Sequence, residues 1–187
     1  FREYMDQSFA DALARGVEIG RKYDPAGRFG FTGTHHPGVF SGQNYAKLCQ
    51  VVDLIVPYNI GQAPEIIRSL YPQRCIQMTP SWFSGNRGVW DIWTRFLDGD
   101  RGIIFWDNDE PTNKFLNQPD GTPTERAKSL GPTLRTIESG LAKLLYAAEY
   151  DHSGIALYYS HPSVRVAWWR QYLPAGRGSE RFENTTG

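Results

Sequence analysis

Residues 45–58, YAKLCQVVDLIVPY, decide the fold class of this chain. The first part of the stretch belongs to a helix predicted over residues 43–52. The second part, residues 54–58, is a continuous apolar run with the length of one strand. A strand without polar alternation is typical of a parallel sheet, in which both faces of each strand are buried. The stretch therefore predicts one helix–strand unit of an α/β protein.

The same order of helix and strand recurs over the first 106 residues. The predicted strands cover residues 29–33, 54–58, 75–79 and 102–106, and the predicted helices cover residues 1–23, 43–52, 63–70 and 89–97. Strands that alternate with helices form βα units, whose strands pair in parallel and in chain order. We therefore expect a parallel sheet with sequential strand order; a strand order that reverses would indicate a complete flavodoxin-like domain instead.

The chain after residue 106 interrupts this rhythm. A polar, turn-rich loop is predicted over residues 107–123, and a long helical stretch, interrupted at Gly131–Pro132, over residues 124–150. Residues 155–159, IALYY, are predicted as another buried strand, followed by a helix that runs through Trp169.

The charge balance argues against several classes of partner. Lys and Arg together number 20, as do Asp and Glu, so the formal net charge is zero and predicts no binding of nucleic acid or of an anionic membrane. No apolar run reaches the ~20 residues of a membrane span. Cys49 and Cys75 lack the spacing of a zinc or redox pair and are predicted as buried free thiols, with a disulfide as the alternative. The chain has no glycine-rich phosphate loop and no metal-ligand spacing, so no cofactor and no metal are predicted.

Polar and aromatic side chains follow the predicted strands. Because the carboxyl ends of parallel strands meet at one edge, this edge is the expected binding site. Its predicted ligand-binding residues are His35, Tyr58, Asn59, Trp82 and Trp106. Amides, imidazoles and indoles suit a neutral polyhydroxylated ligand, because indole faces pack on the apolar face of a sugar. The alternatives are a loop hydrogen bond for His35, a strand cap for the Tyr58–Asn59 pair and ordinary packing for Trp82.

Asp107, Asp109 and Glu110 follow the last of these strands. Asp107 and Glu110 are the candidate catalytic residues, since glycoside hydrolysis uses a pair of carboxylates. The alternative is a solvated loop whose acids cap a helix.

Four segments of the chain, residues 1–33, 45–59, 74–82 and 89–108, have the element order of a known barrel. They resemble helix 4 to strand 8 of a clan-A glycoside hydrolase (β/α)₈ barrel, most similar to the family 42 β-galactosidases. Residues 122–149 and 154–169 resemble the entry into the trimerisation domain of that family. The resemblance implies that residues 1–122 are the C-terminal half of a TIM barrel, about strands 5–8. It further implies that residues 123–187 hold a barrel-closing helix and the start of a flavodoxin-like α/β domain.

The resemblance also implies a function and exposes two departures from the family. It implies a glycoside hydrolase fragment acting on β-galactoside-like glycans, within a parent protein that is a candidate homo-oligomer. The family's acid/base Glu would lie before Phe1, and its strand-7 nucleophile Glu falls at Met78-Thr79-Pro80-Ser81, where no carboxylate stands. Either Asp107, ranked before Glu110, supplies the second carboxylate, or the protein binds carbohydrate without cleaving it. The sequence indicates no cellular compartment.

Overall fold

The computed structural model describes residues 2–34, 42–58, 62–70, 75–106, 115–149, 151 and 153–171. The chain forms two compact units, one of Phe1–Gln77 with Gly154–Gly187 and the other of Met78–Ser153. Each unit contains helices and a small parallel sheet, so the predicted α/β class is confirmed. The expected domain boundary between residues 122 and 123 stays a prediction.

The first unit contains a sheet of three parallel strands with sequential order. Its strands are β1 (Gly30–Thr34), β2 (Leu54–Pro57) and β3 (Ile76–Gln77), and the helices between and before them are α1 (Arg2–Tyr23), α2 (Tyr45–Val51) and α3 (Ala63–Leu70). Helix α2 begins at the cap Asn44, whose side chain accepts a hydrogen bond from the N–H of Ala46. The sequential order agrees with the sequence-based expectation for neighbouring βα units.

One face of this sheet packs on the helices. Phe31 and Ile55, paired in the β1–β2 register, belong to the core that also contains buried residues of all three helices. At the amino end of β2, Asp53 accepts a hydrogen bond from the N–H of Phe29 at 3.0 Å and forms an ion pair with Arg21 of α1. The strand pairing is therefore tied to the first helix where the strands begin.

The second unit contains a parallel pair of strands. These are β4 (Thr79–Ser81) and β5 (Ile103–Phe105), with α4 (Gly85–Leu97) between them and α5 (Glu125–Thr136) and α6 (Ala142–Ala147) after them. Ile103 and Phe105 pack against a core formed by α4 and α5, which centres on Ile92 and Leu130. The single strand predicted over residues 75–79 is thus divided at Met78 into β3 and β4, which belong to different sheets.

Two expectations for the last third of the chain are wrong. Helix α5 continues through Pro132, and the break falls at Gly140, whose φ of 127° lies in the left-handed region that favours glycine. Residues 155–159 belong to neither sheet, and residues 155–158 are strongly exposed, Leu157 to 91%, whereas Tyr159 is more than half covered. An apolar run is buried as a strand only where neighbouring strands cover it, and neither sheet supplies them. The final helix, α7 (His161–Gln171), does form.

Gly30 tests the β1–β2 pairing. A Cβ at this position would fall on the carbonyl oxygen of Leu54, so Gly30→Ala must push the two strands apart. We expect the variant to lose about 1–3 kcal/mol of unfolding free energy, the usual cost of overpacking. Gly16→Ala in α1 is the matched control, because its Cβ meets nothing within 4 Å and alanine favours the helix by about 0.5–1 kcal/mol. Urea unfolding of both variants is the measurement, and equal stability of the two would contradict the pairing.

Candidate functional site

The carboxyl ends of β4 and β5 bring two tryptophans together in the second unit. Ser81 pairs with Phe105, and the next residue of each chain segment is Trp82 or Trp106. The N–H of Trp106 donates to the carbonyl oxygen of Ser81 at 3.1 Å, so the pairing extends past the last strand residue. Both indoles are half-buried. The structure therefore places two of the five predicted ligand-binding residues at neighbouring strand ends.

Arg126 of α5 holds these two strand ends. Its Nη1 donates to the carbonyl oxygen of Trp106 at 2.8 Å, and its Nη2 donates to that of Ser81 at 2.8 Å. Its Nε donates to the carbonyl oxygen of Phe83 at 3.3 Å. The side chain is 5% exposed. A single buried cation thus connects the backbone on both sides of Trp82 with the backbone of Trp106.

Two polar atoms at these strand ends lack a hydrogen bond. Among the described residues, the Nε1 of Trp106 and the Oγ of Ser81 are buried and have no partner. A buried polar group left unpaired costs about 1–3 kcal/mol, so such groups are usually paired by water or a ligand. The strand ends therefore combine two flat apolar rings with an unused donor and an unused hydroxyl.

Tyr58 lies at the equivalent edge of the first unit, directly after β2, and is half-buried. Its hydroxyl would be 3.5 Å from a Cβ placed on Gly33, where β1 has a φ of 79° and an irregular register. The phenol of Tyr58 therefore lies over the end of the neighbouring strand. Its position agrees equally with a strand cap and with a ligand contact, the two roles that the sequence left open.

The remaining predicted site residues, His35, Asn59, Asp107 and Glu110, lie outside the described residues. Their roles stay predictions. Tyr58 belongs to the first unit, and the two tryptophans belong to the second, so each strand edge is a candidate site of its own.

A buried charged cluster that the sequence analysis missed lies in the first unit. Asp6 of α1 is fully buried, and its Oδ1 accepts a hydrogen bond from Nη2 of Arg165 in α7 at 2.7 Å. Its Oδ2 is 3.4 Å from Nδ2 of Asn44 and 3.7 Å from Nε2 of His161. The hydroxyl of Tyr159 is 2.9 Å from Nδ1 of the same histidine. No sequence signal pairs residues that lie 159 positions apart, as Asp6 and Arg165 do.

Burial shifts the pKa of two members of this cluster, His161 and Tyr159. Burial and the nearby Arg165 lower the pKa of His161, although Asp6 opposes the shift, so its imidazole is neutral at pH 7. Burial likewise raises the pKa of Tyr159, which keeps its proton. A cavity of about 420 Å³ lies beside the cluster, but its Tyr159 and Asn44 already bond inside the protein. The arrangement joins α7 to α1 and supplies no activated nucleophile.

The thiols and acids of the described residues form no metal centre. Cys49 and Cys75 are both buried and are not joined by a disulfide, as predicted from their spacing. A hydrogen bond with Cys75 raises the pKa of the Cys49 thiol, with burial as the second cause. Within the part of the chain that the structure describes, no group of three or more His, Cys, Asp or Glu side chains is placed to hold a metal ion.

The chain matches no family model, no curated protein and no solved structure. Among the helices that the structure describes, none combines the length and the apolar character needed to cross a bilayer.

The buried imidazole predicts a pH-dependent stability. Because the pKa of His161 is lower in the folded state than its ordinary value of about 6.5, the unfolded chain binds the proton more readily. The contribution of His161 is therefore present above pH 6.5 and is lost as the pH falls. We expect the urea midpoint of the wild type to fall more between pH 7.5 and pH 5.5 than that of His161→Gln, whose side chain does not titrate. Parallel falls in the two proteins would exclude a neutral buried imidazole.

Proposed function

We propose that this chain binds glycans at the carboxyl ends of its parallel strands, as part of a glycoside-hydrolase-like (β/α)₈ barrel. The parallel pairing in both units and the sequential order of the three strands in the first unit support a barrel arc. The resemblance to family 42 β-galactosidases supports β-galactoside-like ligands. On this proposal the last residues begin a flavodoxin-like domain, and the parent protein is a homo-oligomer.

The pair of indoles at neighbouring strand ends carries the proposal. Trp82 and Trp106 follow residues that are paired across β4 and β5, and both keep part of their surface open. A sugar ring offers an apolar face to an indole and hydroxyls to polar atoms at its rim. The unpaired Nε1 of Trp106 is a donor of the kind that a sugar hydroxyl accepts.

The residues of β4 supply no carboxylate for hydrolysis. Retaining hydrolysis needs two carboxylates about 5–5.5 Å apart. Strand β4, where the resembled family has its nucleophile, consists of Thr79, Pro80 and Ser81, all of them buried. A buried hydroxyl carries no negative charge at neutral pH, so hydrolysis requires a carboxylate from Asp107 or Glu110. The non-catalytic glycan-binding protein is therefore the second candidate function.

Tryptophan variants test glycan binding. We expect Trp82→Ala and Trp106→Ala each to weaken the binding of p-nitrophenyl β-galactoside by about 1–3 kcal/mol, roughly 5- to 150-fold, if each indole covers a sugar face. Trp90→Ala is the matched control, since Trp90 lies on α4 in the same unit and is 67% exposed. Isothermal titration of the full chain and of the three variants measures the affinities. Equal affinity in all four proteins would contradict the assignment of Trp82 and Trp106 as glycan-binding residues.

Two amide variants test catalysis. Asp107→Asn and Glu110→Gln keep size and hydrogen bonding but remove charge, so loss of an essential carboxylate should lower aryl-glycoside turnover by several powers of ten. Glu125→Gln is the control, because Glu125 is an exposed residue of α5 paired with Lys128 at 2.7 Å. Turnover that persists in both test variants would rule out Asp107 and Glu110 as catalytic carboxylates. Galactoside binding without any turnover by the wild type would establish the non-catalytic function.

A further inference from the structure

We infer that Arg126 is the positioning residue of the glycan site: its guanidinium sets the placement of Trp82 and Trp106 by fixing the backbone that carries them. The inference rests on the proposed function for its ligand. It assigns a role to a residue of α5 that lies outside both strands and outside every motif of the sequence.

The hydrogen bonds of Arg126 reach the backbone on both sides of Trp82 and the backbone carbonyl of Trp106. The carbonyl oxygens of Ser81 and Phe83 belong to the peptide units that precede Trp82 and follow Phe83, and both accept from the guanidinium. The third acceptor is the carbonyl oxygen of Trp106 itself. Since a tryptophan ring follows the direction of its Cα–Cβ bond, fixing these peptide planes limits where both indoles point.

Only an arginine meets this arrangement of acceptors. The three carbonyls take hydrogen bonds from three different nitrogens of one rigid plane, Nε, Nη1 and Nη2. A lysine ammonium at the end of a flexible chain cannot reproduce that fork. The ring of Phe105 also lies 5.7 Å from the guanidinium carbon, within the range of a cation–π contact.

The stem of Arg126 is itself held in place by the start of α5. Thr124 caps the helix by accepting from the N–H of Ala127 at 3.3 Å, and its hydroxyl donates to the carbonyl oxygen of Phe115 at 2.6 Å. One turn further, the Oγ of Ser129 accepts from the N–H of Gly85, where α4 begins. The guanidinium therefore projects from a helix end that is itself held by hydrogen bonds.

Because the guanidinium of Arg126 is buried, its position is tightly constrained. A guanidinium removed from water must keep its hydrogen bonds, because an unpaired buried charge is very unfavourable. If either strand end moved away, the cation would lose an acceptor without gaining water. The arrangement thus resists independent motion of the two indoles and keeps them ready for one ligand shape, which lowers the ordering cost of binding.

The test follows the tryptophans without any ligand present. The full chain is labelled with 5-fluorotryptophan, and Trp82→Phe and Trp106→Phe assign the two fluorine resonances. Arg126→Lys and Arg126→Met should shift the resonances of Trp82 and Trp106. Arg95→Lys and Arg95→Met are matched controls, because Arg95 is an equally buried arginine of the same unit, 7% exposed, that pairs with Asp91 within α4. These controls should leave both resonances in place.

The second measurement is affinity for p-nitrophenyl β-galactoside. The Arg126 variants should bind it at least about tenfold more weakly, the effect of losing one aromatic contact, while the Arg95 variants bind normally. Unshifted resonances in a folded Arg126→Lys protein would overturn the inference, as would shifted resonances with unchanged affinity. Shifted resonances together with a wild type that binds no galactoside would support the positioning role and contradict the proposed function.

Discussion

Parallel strand pairing is the constraint on which the rest of this structure depends. Two parallel strands cannot be joined by a tight turn, so the chain must return along a helix before it pairs again. In the first unit this return is made by α2 and α3, and in the second unit by α4. The helices pack against each sheet, and the carboxyl ends of the strands are left as the edge where successive loops begin.

That edge explains why residues far apart in the chain become neighbours. Trp82 and Trp106 are adjacent because Ser81 pairs with Phe105 across β4 and β5. Strand pairing alone does not fix the conformation of the loops that follow β4 and β5. The guanidinium of Arg126 removes much of this freedom by donating hydrogen bonds to the carbonyl oxygens of Trp106 and Ser81.

The parts of the fold that were predicted correctly are those whose signal is local. The continuous apolar run after Asp53 became β2, and the helix expected over residues 63–70 formed with those bounds. The two tryptophans were predicted as site residues because a residue after a parallel strand lies at the functional edge by geometry alone. The run at 155–159 has the same composition as a buried strand but remains exposed, because composition reports a strand's suitability for burial and not the presence of its neighbours.

The sequence by itself determined the α/β class, the parallel pairing of neighbouring strands and the position of the indoles after their strands, because these follow from local hydrophobic patterns. Only the tertiary structure decided which polar groups hold these elements together. Arg126 reaches a carbonyl 45 residues away, and Arg165 reaches Asp6 across 159 residues. Nothing in the local pattern around an arginine specifies its acceptor. The physical reason is that a buried cation is paired by whatever oxygen the packed helices and strands bring within 3 Å, and that distance is a property of the folded chain.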